Sequence, residues 1–252
     1  MRQLYDTIGV DYGRLRQPDP RIAAPILAAL GAARRIVNVG AGTGSYEPRD
    51  RAVVSVEPSV TMIRQRPADA APVLCASATA LPLRDGAVDA ALAVLTLHHW
   101  PDREAGLREL QRVTRDRVVI LTWDPDGPGF WLMDYLPEIA EIDRQILPPL
   151  AWYRHVLGDI EVTAVPIPHD CSDGFLGAYW RRPAAYLDPA VQRAISTFAR
   201  LSDPAPGLAR LRDDLASGAW EKRYGELLQC ESLDLGYRLI SWSGASAPLG
   251  PA

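Results

Sequence analysis

The stretch from Ile36 to Glu47, Ile-Val-Asn-Val-Gly-Ala-Gly-Thr-Gly-Ser-Tyr-Glu, constrains this chain more than any other. A short β-branched run, Ile36-Val37-Asn38-Val39, stops at three alternating glycines, Gly40, Gly42 and Gly44. Such a run reads as a buried strand. Glycines directly after it allow positive φ and let a ligand lie against bare backbone. A second run, Val53-Val54-Ser55-Val56, follows and ends in Glu57. In a doubly wound sheet, an acid at the end of the second strand faces the ribose hydroxyls of a nucleoside held over the glycine loop. The stretch therefore predicts an α/β sheet with a nucleoside site.

The glycine spacing narrows the choice of nucleoside. A dinucleotide fingerprint, G-x-G-x-x-G, uses its third glycine to bring a helix N-terminus onto a pyrophosphate. Here the third glycine comes one residue early and Ser45 holds the fingerprint position. Glu47-Pro48 disfavours a regular phosphate-facing helix, because the residue before proline avoids the α region. An acid where a pyrophosphate would sit is also electrostatically wrong, which disfavours a nicotinamide-dependent oxidoreductase. G-x-G-x-G beside Glu57 resembles motif I of the class I S-adenosylmethionine-dependent methyltransferases.

A second segment strengthens that resemblance. Ser77-Ala78-Thr79-Ala80-Leu81-Pro82-Leu83-Arg84-Asp85-Gly86-Ala87-Val88-Asp89 is similar to methyltransferase motif II. The first residues of that motif grip the adenine edge. Ser77 stands where an Asp is common, and Thr79 where Glu is frequent; a serine hydroxyl can still accept from the adenine amine. The likeness is closest to the bacterial "type 11" small-molecule group, which resembles the ubiquinone and menaquinone methyltransferases. It covers residues 1 to about 125 well and the remainder only in topology.

The resemblance implies a Rossmann-like, seven-stranded class I methyltransferase sheet, mostly parallel with its last strand antiparallel. It also implies an N-terminal helical lid and a helical substrate cap. A single domain would then run over 1–252, with a lid at 1–20, a cofactor core at 21–125, a cap with strand 6 at 126–234, and the last strand at 235–243. S-adenosylmethionine would be the cofactor. The residues placed against it are Tyr12, Arg16, Gly40, Ala41, Gly42, Gly44, Glu57, Pro58, Ser77, Ala78, Thr79 and Leu95. Tyr12 and Arg16 would approach the methionine carboxylate, for which a planar guanidinium fork is suited.

The periodicity along the chain agrees. Asp19-Pro20 reads as a helix N-cap and first residue, opening a helix over 21–33. Val88 to Leu95 is an apolar strand, and Asp102 caps a helix from Arg103 to Thr114 with Leu107, Leu110 and Val113 on one face. Arg117 to Thr122 is a fifth strand, ending at Trp123-Asp124-Pro125. The alternation gives a parallel sheet whose ligand crevice lies at the strand C-termini. Beyond Gly127, helices are expected over 130–147 with a break at Pro137, then 191–201, 207–215 and 220–230. Strands are expected over 161–166 and 235–242.

Members of the resembled group include enzymes with a His-His pair after strand 4 and an Asp after strand 5. His98, His99 and Asp124 match those positions. A hydroxyl nucleophile needs a base, and histidine titrates near neutral pH. Two readings stand: a base oriented by Asp124, or a loop that shapes the cofactor pocket while Asp124 caps a turn at Pro125. Trp131, His169, Tyr179 and Trp180 are the candidates for contact with substrate, and Trp131, Tyr135, Trp152 and Tyr153 read as an aromatic cover. His169, Asp170 and Cys171 are adjacent and lack a usual zinc spacing, so no metal is expected.

Composition limits the partners. Net charge is −4 and no basic cluster stands out, so nucleic acid is not an expected partner. No apolar run approaches the length needed to span a bilayer, which argues against membrane insertion. Met1 to Asp6 lacks the apolar region of a signal peptide, so cytoplasmic residence is the default. Three scattered cysteines, Cys75, Cys171 and Cys230, fit reduced thiols. The expected activity is methyl transfer to oxygen or nitrogen of a small molecule such as a natural product or other secondary metabolite. A non-methylating reaction on the same fold, such as cyclisation or elimination, is the alternative.

Overall fold

A computed structural model describes residues 15–244. Its strands are β1 (Arg35–Val39), β2 (Ala52–Val56), β3 (Val73–Leu74), β4 (Val88–Val94), β5 (Thr114–Trp123), β6 (Ile160–Ala164), β7 (Ile167–Pro168), β8 (Ser232–Leu233) and β9 (Tyr237–Ser243). Seven of them make one sheet in the order β3-β2-β1-β4-β5-β9-β6, while β7 and β8 pair separately. β1 is parallel to β2 and β4, β3 is parallel to β2, and β5 is parallel to β4. β9 runs against β5: the N–H of Gly244 donates to the carbonyl of Asp116, and that of Asp124 to the carbonyl of Gly236. The sheet expected from the sequence is the sheet observed.

Residue contacts divide the chain into two compact units. Among the described residues, one holds 24–122, 150–163 and 238–244; the other holds 15–23, 123–149 and 164–237. The first carries most of the sheet. Its core joins Val37, Val39 and Val56 of the strands to Leu107, Leu110 and Val113 of α3 (Arg103–Val113) and to Tyr153, Val156 and Leu157 of α6 (Leu150–Leu157). Burying each Leu or Val side chain contributes about 1.5–3 kcal/mol. Asp102 caps α3 as expected, its carboxylate accepting from the N–H of Ala105 at 3.0 Å.

α6 was not expected, and it corrects the reading of Trp152 and Tyr153 as part of an aromatic cover. The helix is short, follows Pro148-Pro149, and ends before Gly158 at φ +86°. Tyr153 is fully buried in the sheet-bearing core and Trp152 packs against it. Trp131 and Tyr135 belong to the other unit.

The connection between β1 and β2 departs from a doubly wound pattern. Residues 40–51 form turns and bends with no helix, about the dozen residues a parallel crossover requires. An ion pair occupies the polar face left by Asn38 and Ser55. The Glu47 carboxylate accepts from Asn38 Nδ2 (3.2 Å), Ser55 Oγ (2.6 Å), Arg66 Nη2 (2.8 Å) and the N–H of Ala71 (3.1 Å). The Glu47 and Arg66 side chains are only 7% and 4% exposed.

The second unit is helical. α4 (Leu132–Tyr135) and α5 (Glu138–Ile146) flank the break at Pro137. α7 (Pro189–Ala194) and α9 (Ala219–Tyr224) each end sooner than the sequence suggested, with 3-10 turns at Phe198–Arg200 and Gly225–Gln229 covering the rest. α8 (Ala205–Ser217) lies between them. Trp131, Tyr135, Tyr186, Trp220 and Tyr224 interlock mostly edge-to-face, with Trp131 and Trp220 centroids 5.3 Å apart. Such pairs contribute about 0.5–1.5 kcal/mol beyond their area.

Candidate cofactor and substrate sites

The glycine loop leaves β1 at Gly40, whose φ is +70°. A Cβ there would fall 1.9 Å from Thr96 Oγ1, so both backbone conformation and packing demand glycine. The N–H groups of Gly40 and Ala41 both donate to the Val56 carbonyl, which ties the loop to the end of β2. Gly42 is held from two sides. Its N–H donates to Glu57 Oε2 at 2.8 Å, and its carbonyl accepts from Arg66 Nη1 at 3.2 Å.

Glu57 is 6% exposed, and its other oxygen accepts from the N–H of Ser59 at 2.9 Å. The carboxylate is therefore fixed by two backbone amides, and an ionised carboxylate retains further lone pairs for ribose hydroxyls. Pro58 follows it half-buried, and Ser59 caps α2 (Val60–Arg64) by accepting from the N–H of Met62.

The second motif also closes on itself. The hydroxyls of Ser77 and Thr79 lie 2.9 Å apart, and the N–H of Thr79 donates to Ser77 Oγ. Ala78 between them is buried. The loop that follows is clamped to α3: Glu109 accepts from the N–H of Leu81, and Arg112 donates to the carbonyls of Leu81 and Leu83. The Arg112 guanidinium beside Glu109 holds that carboxyl below its usual range.

At the end of β4, Leu95 has φ +49°, an uncommon conformation for a branched residue and one found disproportionately at functional sites. His98 and His99 follow on a 3-10 turn, both half-buried, with ring centroids 3.9 Å apart.

These residues fit a nucleoside without phosphates. A pinned carboxylate borders a bare-backbone loop, and the second motif supplies a hydroxyl pair. Arg66, the guanidinium beside the loop, is already neutralised by Glu47. The sequence reading of Glu47 as an acid facing the ligand side is corrected here: its carboxylate turns to Arg66, Ser55 and Asn38.

The remaining candidates lie in the other unit, except that Tyr12 is outside the described residues. Arg16 is held by Asp173, Nε to Oδ1 at 2.5 Å and Nη2 to Oδ2 at 3.5 Å, and bridges to it through the backbone. Asp124 is buried at the end of β5, where its Oδ1 accepts from the N–H of Asp126. Trp180 is fully buried. Its indole donates to the Ile167 carbonyl, and its own carbonyl accepts from Trp131. Tyr179 is buried under the Arg182 guanidinium, 4.8 Å from its ring centroid. His169 is half-buried beside the β7–β8 pair, with Nδ1 3.2 Å from the Glu231 carbonyl.

The sequence reading missed Asp143. It lies on the buried face of α5, four residues after Ile139 and three before Ile146. An acid interrupting that apolar stripe was the available signal.

Comparison with known proteins agrees with the geometry. The methyltransferase-domain family model matches residues 37–122. A solved protein from Anabaena variabilis, described as a methyltransferase from an antibiotic biosynthesis pathway, shares 34% of its sequence. The match covers 91% of this chain and 99% of that one, with a TM-score of 0.85. A geranyl diphosphate C-methyltransferase from Streptomyces coelicolor, solved with S-adenosyl-L-homocysteine, shares the fold at 16% identity. There the TM-score is 0.53, over 88% of this chain and 76% of that one. A curated relative, the tRNA (carboxymethyluridine(34)-5-O)-methyltransferase alkbh8 of Xenopus tropicalis, is 29% identical over 134 residues, 49% of this chain. The match spans about a fifth of that protein, 21% of its length. Likeness to the Anabaena protein over nearly the whole of both chains places this one among the class I S-adenosylmethionine-dependent methyltransferases, as its glycine loop and Glu57 implied.

Proposed function

We propose that the chain transfers a methyl group from S-adenosylmethionine to an oxygen or nitrogen of a small molecule. Residues 1–20 would serve as lid and 126–234 as substrate cap of a single methyltransferase domain. The observation that carries this reading is the glycine loop pinned to Glu57 in a chain of this family. Glu57 would hold the ribose hydroxyls, Ser77 and Thr79 the adenine edge, and Tyr12 and Arg16 the carboxylate. Gly40, Ala41, Gly42, Gly44, Pro58, Ala78 and Leu95 would shape the walls.

When bound, the cofactor supplies a methyl group activated on a sulfonium. The protein's task is then mainly alignment, which can lower a barrier by several kcal/mol. His98 or His99 takes the proton of a hydroxyl acceptor, with Asp124 as the orienting carboxylate. Trp131, His169, Tyr179 and Trp180 belong to the substrate side of this reading. A small acceptor rather than a nucleic acid is favoured by the net charge of −4. No helix among the described residues is long and apolar enough to cross a membrane.

Thermal shift with S-adenosylhomocysteine and with NAD tests the cofactor. The first should stabilise the protein, by about 2.7 kcal/mol at a hundredfold excess over Kd, and the second should not. With an acceptor in hand, kcat at saturating cofactor for His98→Ala, His99→Ala and Asp124→Ala tests the base. Loss of a general base lowers the rate by about 10²- to 10⁴-fold. Unchanged kcat in all three variants would refute the base assignment.

A further inference from the structure

Gly40, Gly42 and Gly44 all take positive φ, +70°, +53° and +95°. Glycine loses more backbone freedom on ordering than other residues, so a loop built on three of them binds a ligand weakly unless something else fixes it first. Gly42 is fixed from three directions around α2. Glu57, ahead of that helix, accepts from the Gly42 N–H at 2.8 Å. Met62, buried within the helix, has its methyl 3.3 Å from where a Gly42 Cβ would sit. Arg66, just past the helix, donates from Nη1 to the Gly42 carbonyl at 3.2 Å. The first bond holds the peptide before Gly42 and the last holds the peptide after it, so both soft dihedrals of that residue are restrained.

Arg66 is well placed to do this. Its backbone N–H donates to the Ile63 carbonyl at 3.2 Å, and its side chain is 4% exposed. Nη2 donates to both Glu47 oxygens, at 2.8 and 3.0 Å, and to the Ala71 carbonyl at 3.0 Å. Charge pairing is thus carried by one terminal nitrogen and the loop contact by the other. Spanning both needs the rigid guanidinium fork, which an ammonium lacks.

We infer that Arg66 is a positioning residue for the cofactor loop. Through the Gly42 carbonyl it holds the loop, already joined to Glu57, in one ordered arrangement before S-adenosylmethionine arrives. The inference rests on the S-adenosylmethionine reading of the site and adds to it a residue that acts through the backbone. Glu47 has the lesser part of supplying the countercharge that lets the guanidinium be buried there.

Two variants of the full chain separate positioning from support. Glu47→Gln removes the countercharge and leaves Arg66 its bond to Gly42. Arg66→Lys keeps a cation beside Glu47 and removes the fork. Each is measured by urea denaturation and by calorimetric titration with S-adenosylhomocysteine. Glu47→Gln should unfold at lower urea yet bind within about twofold of the wild type, whereas Arg66→Lys should lose about tenfold or more of the affinity, the scale of one charge-assisted hydrogen bond. If Arg66 only supported the fold, affinity would follow stability, and the Gln variant would lose at least as much as the Lys variant. Amide hydrogen exchange in the wild type needs no variant: the Gly42 N–H should be protected by about a hundredfold or more before any ligand is added. A Gly42 amide that exchanges like an open loop, a Lys variant with wild-type affinity, or a Gln variant that binds as weakly as the Lys variant each overturns the inference. Failure of S-adenosylhomocysteine to bind the wild type would instead refute the cofactor reading.

Discussion

Glu47 and Asp143 are both carboxyls removed from water, and the two units treat them in opposite ways. Glu47 accepts four kinds of donor and pairs with a guanidinium that is itself buried. Asp143 has an orphan oxygen and no ion pair among the described residues. The first arrangement is what a structural charge requires, because a buried ion is tolerated only when paired and hydrogen-bonded. Glu47 lies in the crossover where a helix would ordinarily lie, and Arg66, from beyond α2, ties it to the Gly42 carbonyl. The second arrangement costs stability, because a buried polar atom without a partner loses its hydration and gains nothing in return.

The largest expected effect comes from breaking the satisfied pair. Glu47→Ala leaves Arg66 buried without a counter-ion and should cost about 3–5 kcal/mol. Urea denaturation measures this, and a loss below about 1 kcal/mol would contradict the structural role. Replacing both partners, Glu47→Leu with Arg66→Met, should restore much of the stability, as apolar substitutes for buried pairs often do. It should not restore S-adenosylhomocysteine affinity, because the Arg66 bond to the glycine loop stays lost.

Asp143 should respond in the opposite sense. Its carboxyl sits at about 7 in the folded chain against an ordinary value of 3.8. A raised folded value means stability that is fully present below the unfolded value and lost as pH rises through the folded one. Relative to Asp143→Asn, the wild type should match near pH 4, weaken steadily towards pH 7 and stay weaker above it. The gap at pH 8 should be roughly 2–4 kcal/mol. Stability curves of the two proteins between pH 4 and 8 check this; parallel curves would mean that Asp143 is not the buried acid described here.

What the sequence disclosed follows from the range of the interaction. The glycine loop, Glu57 and the capping Asp102 are local signals, because the partner lies within a few residues or the strand period declares the element. The absence of a helix after Gly44 was also legible, through Glu47-Pro48. The reason Glu47 is tolerated there was not, since Arg66 lies nineteen residues on and the pairing exists only in three dimensions. α6 escaped because eight residues with apolar side chains around much of the surface carry little periodicity. The β7–β8 pair is two residues on each side, too short for any pattern. The division of the aromatics between two units is likewise tertiary. Asp143 was readable in principle as an acid in the stripe Ile139, Ile142, Ile146, but a lone acid on a short helix has many bland explanations.

Glu57 tests whether a satisfied acid can also serve a ligand. It is buried like Glu47, and two backbone amides are among its partners. Glu57→Ala should therefore weaken S-adenosylhomocysteine binding by about 1.5–3 kcal/mol, roughly ten- to a hundredfold. Gln at that position retains an acceptor and should lose less. A calorimetric titration in which Ala and Gln both bind like the wild type would remove Glu57 from the cofactor site.

The smallest effect concerns Arg49 and Asp69, which border the same cleft as Glu47. That cleft has a volume of about 540 Å³. Their N–O distance is 2.6 Å, shorter than the 2.8 Å between Glu47 and Arg66. Distance alone would rank them with Glu47 and Arg66. Exposure separates them, at 81% and 60% of the side chains against 4% and 7%. Water screens the charges, and two long or mobile side chains lose freedom to hold one geometry, so an exposed pair contributes below about 1 kcal/mol. Arg49→Ala should accordingly leave the denaturation midpoint nearly unchanged, and raising the salt concentration should not widen the difference. A loss approaching that of Glu47→Ala would mean that the cleft is organised from its rim, and that pairing rather than burial sets the strength of the crossover.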